Sequence, residues 1–133
     1  MKARAARLLV LCCIAALVSA AAASARAPVN PVCNGTKIDP AVSGIYTMPF
    51  GDATGSVTVT VYDTPAGQEF DFDTGDPGLT VASVVAKGGT GYTTWNENVS
   101  ADTGLHAPVN SNTGIWYDLS YLCFTTNSGG GIG

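Results

Sequence analysis

The stretch Leu79 to Trp95 reads L-T-V-A-S-V-V-A-K-G-G-T-G-Y-T-T-W, and its reading decides the fold class. If its first eight residues are extended, Leu79, Val81 and Val85 lie on one face and Ala82, Val84 and Ala86 on the other. So apolar a run also fits a buried helix. The valines, the threonine and the bounding Pro77-Gly78 and Gly88-Gly89 pairs favour a strand covered on both faces. Gly88, Gly89 and Gly91 permit a bulge or a positive-φ turn, after which Tyr92 to Trp95 resumes extended structure. A strand buried on both faces needs partners in its own sheet and a second layer over it.

Those partners are visible on either side. Ser56 to Tyr62, S-V-T-V-T-V-Y, alternates, with Val57, Val59 and Val61 on one face and Thr58, Thr60 and Tyr62 on the other. Gln68 to Asp73 alternates again, Phe70 and Phe72 inward and Glu69, Asp71 and Asp73 outward. The turn residues Asp63 to Gly67 join the two into a predicted hairpin. Gly44 to Thr47 reads as a short first strand, after a break at Ile38-Asp39-Pro40. Asn96 to Thr113, rich in Asn, Ser, Asp and Gly, reads as a loop. Ile115 to Phe124 reads as a closing strand with Ile115, Tyr117, Leu119, Tyr121 and Cys123 inward. No amphipathic helix or repeat is apparent. The expectation is an all-β, single-domain antiparallel β-sandwich of about six to eight strands, immunoglobulin- or prealbumin-like.

The first residues bear on the compartment. Lys2, Arg4 and Arg7 precede an apolar run from Leu8 to Val18, and Ala23-Ser24-Ala25 has the small-x-small pattern of a signal-peptide cleavage site. Cleavage after Ala25 leaves a domain over residues 26–126 and a Gly-rich tail over 127–133, with no membrane anchor. Cys12 and Cys13 lie inside the apolar run and read as hydrophobic filler. All ten carboxylates follow residue 25, against Arg26, Lys37 and Lys87, so the exported part is acidic. Without a basic patch it is no binder of nucleic acid or anionic membrane. Cys33 and Cys123 stand near its two ends, and an oxidising compartment makes a disulfide between them the default.

Candidate chemistry is sparse. Asp73-Thr74-Gly75 and Asp102-Thr103-Gly104 match the triplet of aspartic proteases, in which two carboxylates share a proton. They stand too close together for two lobes, and Asp-Thr-Gly is ordinary turn chemistry. His106 is the single histidine and reads as a surface loop residue; no G-x-S-x-G elbow is present. Glu69, Asp71, Asp73 and Asp76 gather hard oxygens that suit calcium, though without EF-hand order, and equally form a solvated strand face. Tyr92, Trp95 and Trp116 are candidates to stack on sugar faces, or else to pack. Asn34-Gly35-Thr36 and Asn98-Val99-Ser100 are glycosylation sequons, meaningful in a eukaryotic host.

Three blocks together, Val85-Ala86-Lys87-Gly88-Gly89, Leu105-His106-Ala107-Pro108-Val109-Asn110 and Leu119-Ser120-Tyr121 with Cys123 nearby, resemble a small secreted β-domain of bacterial exported and cell-surface proteins. That pattern runs V-x-K-G-G, L-H-A-P-V-N and a closing L-S-H-x-x-F-C. Here Tyr121 stands where the pattern has histidine, and Cys123 comes two residues early, a shift that keeps its strand face. The resemblance implies a fold and an exported address and adds no mechanism. The expected function is a secreted, non-enzymatic interaction or surface-associated module with a protein or glycan partner. The alternatives are a carbohydrate-binding module and, more remotely, a small secreted hydrolase.

Overall fold

The computed structural model describes residues 32–128; the predicted signal segment 1–25 and residues 129–133 of the Gly-rich tail lie outside that range. The described chain is all-β. Its strands are β1 (Thr36–Ile38), β2 (Gly44–Phe50), β3 (Ala53–Thr64), β4 (Gly67–Asp73), β5 (Val81–Gly88), β6 (Gly91–Val99), β7 (Ala101–His106) and β8 (Leu119–Thr126). They form two four-stranded sheets, β1-β8-β5-β6 (sheet A) and β2-β3-β4-β7 (sheet B), with every pairing antiparallel. Among the described residues no helix is long and apolar enough to cross a membrane.

The Leu79–Trp95 stretch forms a strand, as its composition implies, but the second layer covers one of its faces rather than both. β5 lies inside sheet A, hydrogen-bonded to β8 on one side and β6 on the other, and turns into β6 through Gly89, at φ 57°, and Thr90. Its phase differs from strict alternation. A register shift between Val81 and Ser83 inserts an extra residue, so Val81, Val84 and Ala86 all face the core while Val85 points out. From sheet B, Met48, Phe50, Val57, Val59, Phe70, Phe72 and Leu105 close over them. Phe72 meets Phe124 of β8 edge-on across the layers, ring centroids 5.6 Å apart.

The β3–β4 hairpin is as expected, closed by Pro65 and Ala66 in register Thr64↔Gly67. Three expectations need correction. The Asn96–Thr113 loop is largely sheet: β6 runs to Val99, and β7 follows after one residue. Both are edge strands with solvent on their outer sides, so neither carries the apolar alternation that reveals a strand. β1 was hidden because it is three residues long, ending at the Asp39–Pro40 bond, which is cis. The closing strand begins at Leu119, and its inward residues are Leu122 and Phe124.

Cys123 therefore faces outward, opposite Val85 and Lys37, and is buried at 4 % exposure by its bond to Cys33 rather than by the core. The predicted Cys33–Cys123 disulfide is present, with Cα atoms 5.6 Å apart. Ile115, assigned inward by the sequence pattern, is exposed. At the carboxyl end, Asn127 is tied in by its backbone N–H to Thr80 and its side chain to Thr80 and Asn98.

Because the Phe72–Phe124 contact spans the layers, it reports their docking. Phe72→Leu and Phe124→Leu should each destabilise, and the double variant should lose less than their sum, with a coupling of about 0.5–1.5 kcal/mol. Urea unfolding of the four proteins measures it; additive losses would mean that the rings do not interact.

Candidate functional site

The polar side chains with most structure around them lie on the outer face of sheet B. β3 presents Ser56, Thr58, Thr60 and Tyr62 there because Val57, Val59 and Val61 take the inner positions, and β4 presents Glu69, Asp71 and Asp73 for the same reason. Register sets Thr58 opposite Asp73, Thr60 opposite Asp71, and Tyr62 opposite Glu69. β7 adds Thr103 and His106, the latter opposite Glu69.

Two linked networks fix this face. In the first, Tyr62 donates its hydroxyl to Asp71 Oδ1 at 2.8 Å, and the Gly104 N–H donates to the same oxygen at 2.9 Å. Gly104 sits at φ 71° within a register shift between β4 and β7, a bulge that only a glycine adopts without strain. The bond to Asp71, with partial burial and the two nearby carboxylates behind it, pushes the Tyr62 phenol up to about 12. In the second, Trp116 donates its indole N–H to Glu69 Oε2 at 3.1 Å and stacks on His106 with centroids 3.6 Å apart and planes 4° from parallel. Trp95 meets the same ring edge-on at 5.1 Å and donates its indole N–H to the His106 carbonyl.

His106 is thus a strand residue packed between two tryptophans, not a surface loop residue; its Nδ1 lies 2.8 Å from the Ala107 carbonyl oxygen. Trp116 is seated on the β3–β4 turn, its N–H bonded to Ala66 O. Gly67, at φ 125°, keeps that contact open: a Cβ there would come within 2.6 Å of Trp116 N.

The structure joins Trp95 and Trp116 through His106 and leaves Tyr92 elsewhere. Tyr92 is 46 % exposed on the outer side of sheet A, since residues 92 and 95 of β6 point to opposite faces. The four carboxylates considered for calcium are engaged separately: Glu69 with Trp116, Asp71 with Tyr62 and Gly104, Asp73 with the Gly75 N–H, Asp76 with the Gly78 N–H. Among the described residues, no group of three or more acidic, His or Cys side chains is placed to hold a metal ion. Asn34 and Asn98 are both exposed, Asn98 with φ 60°.

The two Asp-Thr-Gly triplets come together in space, yet their carboxylates do not. Thr74 N bonds Ser100 O, and β4 pairs Asp73 with Ala101 and Phe72 with Asp102. Asp73 therefore points outward and Asp102 inward. Asp102 instead meets Glu97 of β6, a pairing that no motif announces. Burial pushes the Glu97 carboxyl up to about 7, and its hydrogen bond to Asp102 and that group's charge push the same way. Protonated Glu97 can donate to Asp102, linking the two sheets where β6 passes into β7.

The linkage follows. The unfolded chain gives up the Glu97 proton near its ordinary value of 4.5, whereas the folded chain holds it to about 7, so this group's stabilisation is complete below about 4.5 and is lost as pH rises through about 7. Thermal midpoints should fall between about pH 5 and 8. Glu97→Gln, which stays neutral and keeps a donor, should flatten that slope; equal slopes in both proteins would disprove the pairing. No family model matches the chain, and neither curated proteins nor solved structures give a match, so function rests on this geometry.

Proposed function

We propose that this chain is a secreted, non-catalytic recognition module: a disulfide-stapled sandwich that offers the outer face of sheet B to a partner. The observation that carries the reading is the state of His106. One face of its ring is stacked on Trp116, Trp95 meets it in a T-shaped contact, and one ring nitrogen is close to a backbone carbonyl, so the side chain is packed in place. A general base needs its imidazole free to reach a substrate proton. The Asp-Thr-Gly carboxylates are likewise held apart on opposite faces of sheet B.

The carboxylates of the outer face of sheet B are already held by hydrogen bonds, and groups already fixed lose little freedom on association. The disulfide supports an oxidising address, which the export-type amino terminus and the resemblance to exported bacterial domains also favour. A carbohydrate partner is favoured over a nucleic acid by the acidic charge and by the hydroxyl-rich face.

Purified oxidised protein should leave peptide and glycoside substrates intact over prolonged incubation, as read by mass spectrometry of the substrate. Turnover that Asp73→Asn or Asp102→Asn abolishes would overturn the non-catalytic reading.

A further inference from the structure

The outer face of sheet B is more than a polar strand surface. Ser56, Thr58 and Thr60 from β3, Asp71 and Asp73 from β4, Thr74 and Gly75 after it, and Ala101 and Thr103 from β7 line an open groove of about 430 Å³. Its hydroxyls and its carboxylates differ in how they are used. The Ser56, Thr58, Thr60 and Thr103 hydroxyls bond to no other side chain or backbone group among the described residues. The carboxylates are half used: Asp71 receives two donors on Oδ1, from Tyr62 and Gly104, and Asp73 Oδ1 receives the Gly75 N–H. In each case the second oxygen has no partner among the described residues. The groove thus sets rotatable hydroxyls, which donate and accept, beside fixed oxygens that only accept.

Ligand chemistry follows from that pattern. An anion is repelled by Asp71 and Asp73, and neither Lys37 nor Lys87 lies on this face. A metal ion would want more carboxylates than this cluster offers. An extended peptide would want apolar pockets for alternate side chains, and here the outward β3 positions are Ser and Thr. Sugar hydroxyls fit both kinds of partner: they donate to carboxylate oxygens and exchange bonds with Ser and Thr. Spacing agrees, since strand neighbours lie about 4.8 Å apart and alternate residues along a strand about 6.8 Å, on the scale of a saccharide ring.

We propose that this groove binds an uncharged oligosaccharide, with Asp71 and Asp73 accepting from ring hydroxyls and Thr58, Thr60 and Thr103 completing the contacts. The inference rests on the recognition reading above and places its site on residues other than Tyr92, Trp95 and Trp116.

An array of neutral glycans, followed by calorimetric titration of the bound oligosaccharide into the oxidised protein, tests it. Asp71→Asn keeps an oxygen for Tyr62 and Gly104, so the fold is retained, and should weaken binding about tenfold or more. Thr60→Val keeps the β-branched shape and should weaken it several-fold. Both variants should match the parent in thermal midpoint to within a few degrees. Affinity should be indifferent to EDTA and nearly so to raising salt from about 0.05 to about 0.5 M. Binding to no neutral glycan would overturn the groove. So would binding that these variants leave intact but Trp116→Ala abolishes, which would put the sugar on the aromatics and keep the recognition reading. Binding lost with EDTA, or capture of cationic peptides alone with steep salt dependence, would overturn it too. Cleavage of the bound glycan would refute the non-catalytic reading while leaving the groove in place.

Discussion

Strand β8, the last in chain order among the described residues, takes an inner position in sheet A, between β1 and β5. Cys123 on it is bonded to Cys33, three residues ahead of β1 and 90 residues away in the chain. Much else depends on that clasp. β1 is three residues long and contributes only Ile38 to the core, too little to hold an edge by itself. The bond fixes it against β8, and so seals one side of sheet A. In the chain-entropy model, closing a loop of this length stabilises by about 4–5 kcal/mol, comparable with the whole stability of a small domain.

That bridge ties strands within sheet A; the two layers are joined elsewhere. β6 passes directly into β7, carrying the chain from sheet A to sheet B, and the side chains at that passage are polar: Glu97 against Asp102, and Trp95 reaching over to His106. On sheet B, hydrogen bonds from Tyr62 and Gly104 to Asp71 and from Trp116 to Glu69 hold the carboxylates of the outer face in place. The Thr58 and Thr60 hydroxyls opposite Asp73 and Asp71 remain free to rotate, so they can donate or accept beside those fixed oxygens. The bulge at Gly104 contributes twice, turning Thr103 toward that face and holding Asp71 by a backbone N–H.

Residues speak plainly in sequence when their environment is one-sided. Val57, Val59, Phe70 and Phe72 alternate with polar neighbours because β3 and β4 have core below and water above. β5 is apolar on both faces, but only Val81, Val84 and Ala86 meet the second layer, while Val85 is half-buried on the outer face. The second half of β6 and all of β7 were illegible for the converse reason, since little of them is buried. The phase of β8 misled because Cys123 is buried by a bond to a distant residue, a cause of burial that periodicity cannot register. The candidate site shows the same division. The carboxylate row on β4 was readable, but the opposition of Thr60 to Asp71, the Glu97–Asp102 pair and the stacking of Trp116 on His106 all depend on register between separate segments. Asp73-Thr74-Gly75 is turn chemistry as composition implies, whereas Asp102-Thr103-Gly104 is a bulge within a strand.

Equilibrium urea unfolding of the oxidised protein beside its Cys33→Ser/Cys123→Ser variant tests the clasp most directly. If the bridge holds an otherwise modest core together, the variant loses about 3–5 kcal/mol and sits near the edge of folding at room temperature. Superimposable unfolding curves would show that the two sheets hold without it.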